Sequence, residues 1–162
     1  MENTAGANLP GPAIRTFHER RNHKMKKILI VEDDQRIAMA LVIRLKANGY
    51  NASVASDALA AASQARVVKP DLILLDISMP GGNGFQLAEA FLRMPETNGA
   101  PIIFITASKN PELLQRVMEL GAVGLFEKPF DTEKLLSSID RNFNKITDLS
   151  NARQHSIANK SI

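Results

Sequence analysis

The sequence predicts an α/β protein built on a doubly wound, five-stranded parallel sheet with helices on both faces. Two observations lead to this prediction. Short apolar segments alternate five times with segments of helical periodicity over about 120 residues. The apolar segments are continuous rather than alternating, which is typical of parallel strands buried on both faces. Right-handed crossovers then favour the strand order 2-1-3-4-5, with a switch point between strands 1 and 3.

The strands are assigned from their apolar and β-branched composition. Each is short and is followed by a helical segment, as a repeated strand–helix unit requires. The second is the weakest and the fourth the most hydrophobic. The five predicted strands are residues 27–31, 52–55, 71–75, 101–106 and 123–126.

The first three helices are assigned from their spacing and from the residues that end them. Residues 35–48 carry apolar side chains at i, i+4 and i+8, and Gly49 ends this helix. Residues 57–68 form an alanine-rich helix. The third helix is predicted from Asn83 or Gly84 to Met94, and Pro95 terminates it because proline cannot continue a helix.

The last two helices have clear start signals. Pro111 suits the first turn of the fourth helix, which ends at Gly121. Asp131 is a favourable N-cap for the fifth helix. The apolar spacing predicts that this last helix ends at Phe143.

Both ends of the chain lack the apolar spacing of the central part. Residues 1–24 contain Asn, Gly and Pro followed by a basic cluster, and are predicted to be a flexible N-terminal arm. Residues 146–162 are polar and are predicted to be a flexible C-terminal tail. Residues 25–145 are the predicted folded domain. We expect a stand-alone domain without an effector, with a fragment of a longer protein as the alternative.

Composition excludes several classes of site. The chain has no cysteine, which excludes disulfides, thiolate catalysis and cysteine-based metal sites. The longest apolar run is seven residues, at 37–43, which is too short to span a membrane. The N-terminal region lacks the apolar stretch of a signal peptide, so a cytoplasmic location is expected.

The net charge of +3 belongs to the two ends of the chain. Residues 1–24 carry four basic and two acidic side chains, and residues 146–162 carry two and one. The remaining 14 basic and 14 acidic side chains cancel within residues 25–145. A basic protein suggests nucleic acid as a partner, but this distribution argues against it.

Four strand ends bring polar side chains to one edge of the predicted sheet. These are Glu32 and Asp33 after strand 1, Asp76 after strand 3, Thr106 at the end of strand 4 and Lys128 after strand 5. Converging carboxylates raise one another's pKa unless a cation lies among them, and a hard divalent ion such as Mg²⁺ suits oxygen ligands. With a lysine and a hydroxyl nearby, the set suits phosphoryl transfer with Asp76 as the nucleophile.

Each of these residues, taken alone, also has a structural interpretation. Acids after strand 1 are common at helix starts, where Asp34 is expected to be the N-cap. Asp76 alone would fit a turn, Thr106 a strand-end hydroxyl and Lys128 a solvated surface. Their joint placement at one sheet edge favours the functional interpretation.

Five motifs occur in order along residues 25 to about 145. They are ILIVEDD at 28–34, KPDLILLD at 69–76, MP with a following glycine at 79–84, IIFITA at 102–107 and EKPF at 127–130. Together they resemble the receiver domain of two-component response regulators. The resemblance implies a flavodoxin-like fold and a phosphoacceptor that assists its own phosphorylation and dephosphorylation. It does not imply an enzyme acting on an external metabolite.

The resemblance implies a role for each matching acid. Glu32 and Asp33 would form the acidic pair that binds Mg²⁺. Asp76 would be the phosphoacceptor and would also contact the metal. The backbone carbonyl of Ser78 would be a further ligand.

The resemblance also implies a conformational switch. Thr106 would be the hydroxyl that moves onto the phosphoryl group, and Lys128 its charge partner, preceding a proline expected to be cis. Family members usually carry an aromatic residue three positions before this lysine, where this chain has Leu125 followed by Phe126. Phe126 can replace that aromatic only in part, because consecutive strand residues face opposite sides of a sheet. The glycines within 81–84 are expected to form an open loop after the acceptor.

Apolar residues on helix surfaces predict where partners bind. Met39 and Ile43 lie four residues apart, opposite the core-facing side of the first helix. We interpret them as a docking patch for a sensor histidine kinase or histidine phosphotransfer protein, with scattered surface apolar residues as the alternative. The resemblance implies an output face on helix 4, strand 5 and helix 5, for a downstream protein or a second copy of the chain.

Two other functions stay open at this point. Leu125 suggests a degenerate receiver that acts as a phosphorylation-independent adaptor. A small metal-dependent phosphohydrolase would also use an aspartyl nucleophile with Mg²⁺. For that function Ser78 stands where the second acid would be, so no general acid is evident.

Overall fold

The computed structural model describes residues 24–79, 83–97, 99–108 and 110–158, with side chains as far as residue 149. The strands are β1 (Lys27–Val31), β2 (Asn51–Ala55), β3 (Leu72–Asp76), β4 (Ile102–Thr106) and β5 (Gly124–Glu127). The helices are α1 (Gln35–Ala47), α2 (Ala58–Val68), α3 (Gly84–Arg93), α4 (Glu112–Glu119) and α5 (Thr132–Ala158). Residues 1–23 of the predicted arm lie outside the described residues.

The five strands form one parallel sheet in the order β2-β1-β3-β4-β5, which confirms the predicted fold class and strand order. Every residue of β3 and β4 is buried, because helices cover both faces of these central strands. The edge strands β2 and β5 are partly exposed. The exposure of β2 explains why its apolar signal in the sequence is weak.

Side chains of the central strands alternate between two core layers. One layer, which includes Leu29, Ile73 and Phe104, packs against α2, α3 and α4. The other, which includes Ile30 and Ile105, packs against α1 and α5. The two layers hold the sheet between two sets of helices, as expected for a doubly wound fold.

Capping residues and glycines set the helix ends near the predicted positions. Asp34, Asp57 and Asn83 cap α1, α2 and α3 by accepting hydrogen bonds from amides of the first turn. Gly49 and Gly121 adopt φ values of +84° and +67° just after α1 and α4. A left-handed backbone ends a helix and is easily adopted by glycine, so both predicted ends have a physical basis.

The predicted end of the last helix at Phe143 is wrong, because α5 continues to Ala158. Phe143 is the last buried residue of this helix among the described side chains. The apolar periodicity used for the prediction therefore stops where the helix passes the domain edge. Residues 132–158 contain neither Gly nor Pro, so nothing in the sequence breaks the helix there. Most of the segment 146–162, assigned to a tail because it is polar, is thus helical.

Candidate functional site

The carboxyl ends of the strands meet at one edge of the sheet, next to the switch point between β1 and β3. Glu32 and Asp33 directly follow β1, and Asp76 is the last residue of β3. Thr106 ends β4, and Lys128 directly follows β5. Because β3 lies between β1 and β4, the topology brings these side chains to one place.

The acidic side chains form a close cluster. One carboxylate oxygen from each of Glu32, Asp33 and Asp76 lies within 4.8 Å of the other two. Glu32 and Asp76 are only 2% and 3% exposed, whereas Asp33 is exposed. Two buried carboxylates and a third at the mouth of the site therefore face the same small volume.

The ammonium of Lys128 joins the two buried acids. Its Nζ donates hydrogen bonds to Asp76 Oδ2 at 2.7 Å and to Glu32 Oε1 at 3.0 Å. Nζ also lies 2.8 Å from Glu32 Oε2 in ion-pair contact, but that buried oxygen accepts no hydrogen bond from the described residues. The Lys128–Pro129 peptide is cis, as predicted.

Burial and charge act on the ionisable groups of the cluster in opposite directions. Burial raises the pKa of Glu32 above its ordinary value, although hydrogen bonds from Lys128 and the Asp34 amide partly offset this effect. Burial alone would lower the pKa of Lys128, but its hydrogen bonds to Asp76 and Glu32 outweigh burial and leave that pKa raised. Lys128 is therefore charged at neutral pH, and the site stabilises positive charge.

Backbone amides orient the two buried carboxylates. The amide of Ser78 donates to Asp76 Oδ1 at 2.8 Å, so Oδ1 and Oδ2 of the same carboxylate have different partners. The amide of Asp34 donates to Glu32 Oε1 at 3.1 Å. The side chain of Asp34 caps α1 and bonds Arg36, which lowers its pKa to about 2. Asp34 thus has the structural role that the sequence predicts for it.

The cluster has the chemistry that a hard metal ion requires. Three carboxylates supply oxygen ligands, and the buried Glu32 Oε2 has an ion-pair contact with Lys128 but accepts no hydrogen bond from the described residues. The ammonium of Lys128 can neutralise only one of the three negative charges. Glu32, Asp33 and Asp76 could therefore hold a metal ion, which would balance the rest of the charge.

Thr106 is buried beside the acidic cluster but does not contact it through a hydrogen bond. In the β3–β4 register Asp76 lies opposite Ile105, so Thr106 is one residue further along β4. Its Oγ1 accepts a hydrogen bond from the Ser108 amide at 3.0 Å. Among the described residues no hydrogen bond joins this hydroxyl to Asp76 or Lys128.

Leu125 and Phe126, which stand three and two positions before Lys128, face opposite sides of the sheet, as expected. Leu125 is partly buried and packs on the core layer beneath α2, α3 and α4. Phe126 packs on the layer beneath α1 and α5. The aromatic ring therefore does not occupy the side on which Leu125 lies.

The predicted docking residues on α1 are both exposed, at 60% for Met39 and 61% for Ile43. Ile43 lines an apolar groove between α1 and the segment 128–132, whereas Met39 is not among its lining residues. Pro129 and Phe130 form the opposite wall of this groove. Met39 and Ile43 thus share the exposed side of α1, but only Ile43 lines the groove.

Sequence reasoning missed two features of this region. Gly84 packs against the main chain of Asp76 and Ile77, whereas the sequence suggested only an open loop. Pro129 and Phe130, which follow Lys128 in the EKPF motif, form one wall of the groove. In both cases the sequence shows the residue, but it does not show which other segment of the chain that residue contacts.

Comparison with known proteins agrees with this geometry. The sequence profile described as the response regulator receiver domain matches residues 28–140. The chain belongs to this family. It is 33% identical over 124 residues to the phosphate regulon transcriptional regulatory protein PhoB of Klebsiella pneumoniae, covering 76% of this chain and 54% of that protein. It is 32% identical over 114 residues to the DNA-binding response regulator MtrA of Mycobacterium leprae, covering 70% of this chain and 49% of that protein.

Solved structures show the same receiver fold. The chemotaxis protein CheY4 of Vibrio cholerae aligns with a TM-score of 0.68 at 31% identity, covering 73% of this chain and 98% of that one. A CheY-like receiver protein of Methanospirillum hungatei aligns with a TM-score of 0.68 at 27% identity, covering 75% of this chain and 96% of that one. The chain is therefore a receiver domain of the two-component type.

The chain spans about half the length of the curated relatives it matches, 54% of PhoB and 49% of MtrA. The activities in those proteins' names therefore belong to proteins with additional sequence. Within the described residues, none of the helices has both the length and the apolar character that a membrane crossing needs.

Proposed function

We propose that this receiver domain accepts a phosphoryl group on Asp76 from a phosphohistidine of a sensor histidine kinase or phosphotransfer protein in the cytoplasm. The observation that carries the proposal is the contact between Asp76 Oδ2 and Lys128 Nζ at 2.7 Å within a cluster of three carboxylates. A phosphoryl group on Asp76 would lie beside a fixed cation and within reach of a metal held by the other acids.

The transfer is a displacement at phosphorus. A carboxylate oxygen of Asp76 forms the new O–P bond while the P–N bond of the phosphohistidine breaks, and its electron pair returns to the imidazole, which takes a proton. Glu32, Asp33, Asp76 and the Ser78 backbone carbonyl would hold Mg²⁺, which would neutralise charge on the phosphoryl oxygens. Lys128 would stabilise the same charge, and the Ser78 amide keeps the Asp76 carboxylate oriented.

The phosphoryl group on Asp76 would also produce the signal, by changing the position of Thr106. Phosphorylation changes the charge and shape at Asp76, and the buried Thr106 hydroxyl at the neighbouring strand end would move onto the phosphoryl group. In the unphosphorylated protein that hydroxyl accepts a hydrogen bond from the amide of Ser108, at the start of the loop that leads to α4. A shift of Thr106 would therefore move this loop and change the surface formed by α4, β5 and α5. Leu125 is the core residue of β5 that would follow the movement.

The apolar groove beside the site supports a docking function for α1. Ile43 lies on its rim together with Pro129 and Phe130, and Lys128 reaches from the same groove into the acidic cluster. A partner helix in this groove would place its phosphohistidine close to Asp76. We propose this groove, with Ile43 rather than Met39 as its main contact on α1, as the docking site of the phosphodonor.

Phosphorylation by a small donor tests the function without knowledge of the kinase. The protein is incubated with Mg²⁺ and acetyl phosphate, and wild type and Asp76→Asn are compared on phosphate-affinity gels. A shift that requires Asp76 is expected. No shift in either protein would favour the phosphorylation-independent adaptor, and sustained hydrolysis of a phosphoester would favour the phosphohydrolase.

A further inference from the structure

Gly84 is the first residue of α3 and lies against the end of β3, the strand that carries Asp76. A Cβ atom at this position would lie 2.5 Å from the carbonyl oxygen of Asp76 and 2.7 Å from the Cα of Ile77. Both are main-chain atoms, which cannot rotate away as a flexible side chain can. The requirement for glycine is therefore one of space, since Gly84 is not among the positive-φ residues.

One hydrogen bond joins the start of α3 to the end of β3, and a second orders the first turn of α3. The Gly84 amide donates to the carbonyl of Ile77 at 3.2 Å. Asn83 Oδ1 caps α3 by accepting from the amide of Phe85 at 2.9 Å. The first turn of α3 is thereby fastened to the residue that follows Asp76.

We propose that Gly84 is a positioning residue for Asp76, acting through the capped first turn of α3. Its packing sets where the end of β3 lies, and therefore how far the Asp76 carboxylate stands from Glu32 and Lys128. The inference rests on the proposed function of Asp76 as phosphoacceptor. Displacing reacting groups by about 1 Å costs on the order of 100-fold in rate, so a small shift of the strand end is consequential.

Gly84→Ala tests the proposal, with Gly124→Ala as its matched control. A Cβ on Gly124 would meet only side-chain atoms at 3.5–3.6 Å, which is ordinary contact. In the full chain, we expect Gly84→Ala to react with acetyl phosphate about tenfold or more slowly and to bind Mg²⁺ more weakly. Gly124→Ala should match wild type in both. The Mg²⁺ affinity, measured by titration calorimetry, is a readout that general destabilisation of a folded protein would not move.

A folded Gly84→Ala protein with wild-type rate and wild-type Mg²⁺ affinity would overturn the proposal. Circular dichroism of each variant shows whether it is folded. If wild type binds Mg²⁺ but takes up no phosphoryl group, the proposed function fails, while the Mg²⁺ titration still tests the role of Gly84. A wild type that does neither overturns both.

A second pair of variants decides the matter if Gly84→Ala does not fold. Asn83→Ala removes the cap that orders the first turn of α3 around Gly84, without adding any atom. Asp57→Ala removes the equivalent cap from α2, which is not part of the acidic cluster. The Asp57 side chain accepts a hydrogen bond from the Ala60 amide at 2.8 Å. We expect Asn83→Ala to slow phosphorylation about threefold or more and Asp57→Ala to leave it unchanged. Equal rates and equal Mg²⁺ affinities in the two variants would contradict the positioning role.

Discussion

The Nζ atom of Lys128 lies 2.7 Å from Oδ2 of Asp76, so the carboxylate proposed to attack phosphorus is also the one that binds the lysine. The same ammonium bonds Glu32, which has almost no contact with solvent. Lys128 therefore has a structural role as well as the proposed chemical one. It neutralises part of a buried negative charge that the fold would otherwise have to hold unpaired.

Replacing Lys128 with methionine should destabilise the protein when Mg²⁺ is absent. Glu32 and Asp76 would then be buried without their cation, at a cost of about 3 kcal/mol in the free energy of unfolding. Mg²⁺ should recover part of that loss, since it would neutralise the same carboxylates. Urea unfolding with Mg²⁺ and with a chelator measures both effects. Wild-type stability of Lys128→Met in the chelator would show that the ion pair has no structural role.

Replacing Asp33 with asparagine should weaken Mg²⁺ binding while leaving the fold intact. Asp33 is exposed, and the loss of its charge relieves repulsion with Glu32 and Asp76, so the free energy of unfolding should not decrease. The loss of one charged ligand should lower the Mg²⁺ affinity by about tenfold or more. Titration calorimetry measures the affinity, and Asp148→Asn, which removes an exposed acid on α5, is the matched control. If both variants bind Mg²⁺ as tightly as wild type, Asp33 is not a ligand.

The hydrogen bond between Tyr50 and Asp140 predicts a pH-dependent contribution to stability. Burial, together with the hydrogen bond to Asp140, raises the pKa of Tyr50 well above its ordinary value of 10.0. A raised pKa in the folded state means that this contribution is complete below about pH 10 and is lost as the pH rises further. Tyr50→Phe keeps the ring against Phe143 but removes the hydroxyl.

We therefore expect Tyr50→Phe to be less stable than wild type by about 1 kcal/mol at neutral pH. The difference between the two proteins should shrink between about pH 10 and about pH 12, while the titration of the lysines affects both equally. Urea unfolding at each pH gives the difference directly. A difference that stays constant over this range would contradict the raised pKa.

Replacing Ile43 with aspartate should impair phosphorylation by a kinase without impairing the chemistry of Asp76. A charge in the apolar groove opposes the docking of a partner, so transfer from a histidine kinase that phosphorylates wild type should be about tenfold or more slower. The rate with acetyl phosphate should not change. Leu59→Asp is the control, because Leu59 is an 81% exposed apolar residue on α2, outside the groove. Equal transfer to both variants would remove Ile43 from the docking site.

The fold and the residues of the site could be predicted because both follow from local patterns and one topological rule. Continuous apolar strands indicate a parallel sheet, and parallel strands bring their carboxyl ends to one edge. Asp33, Asp76 and Lys128 could therefore be placed together before any distance was known. The cap at Asp34 is equally local and was also confirmed. The cis peptide at Lys128–Pro129 was expected from the resemblance to receiver domains rather than from a local pattern, and it was confirmed as well.

The remaining features could not be predicted because they depend on distances between segments that are far apart in sequence. The contact of Gly84 with the Asp76 main chain requires the path of the loop before α3. Ile43 lines the groove and Met39 does not, and this difference depends on where the segment 128–132 lies against α1. The length of α5 was missed for a different reason, since a helix beyond the domain edge buries nothing and leaves no apolar period.

Locating the phosphoryl group on the chain tests the central claim most directly. The protein is incubated with acetyl phosphate and Mg²⁺, the aspartyl phosphate is trapped by borohydride reduction, and the modified residue is identified by peptide mass spectrometry. We predict one modification, at Asp76, that disappears when Mg²⁺ is chelated. A protein that stays unmodified, or one that is modified at another residue while Asp76 is not, would contradict the account.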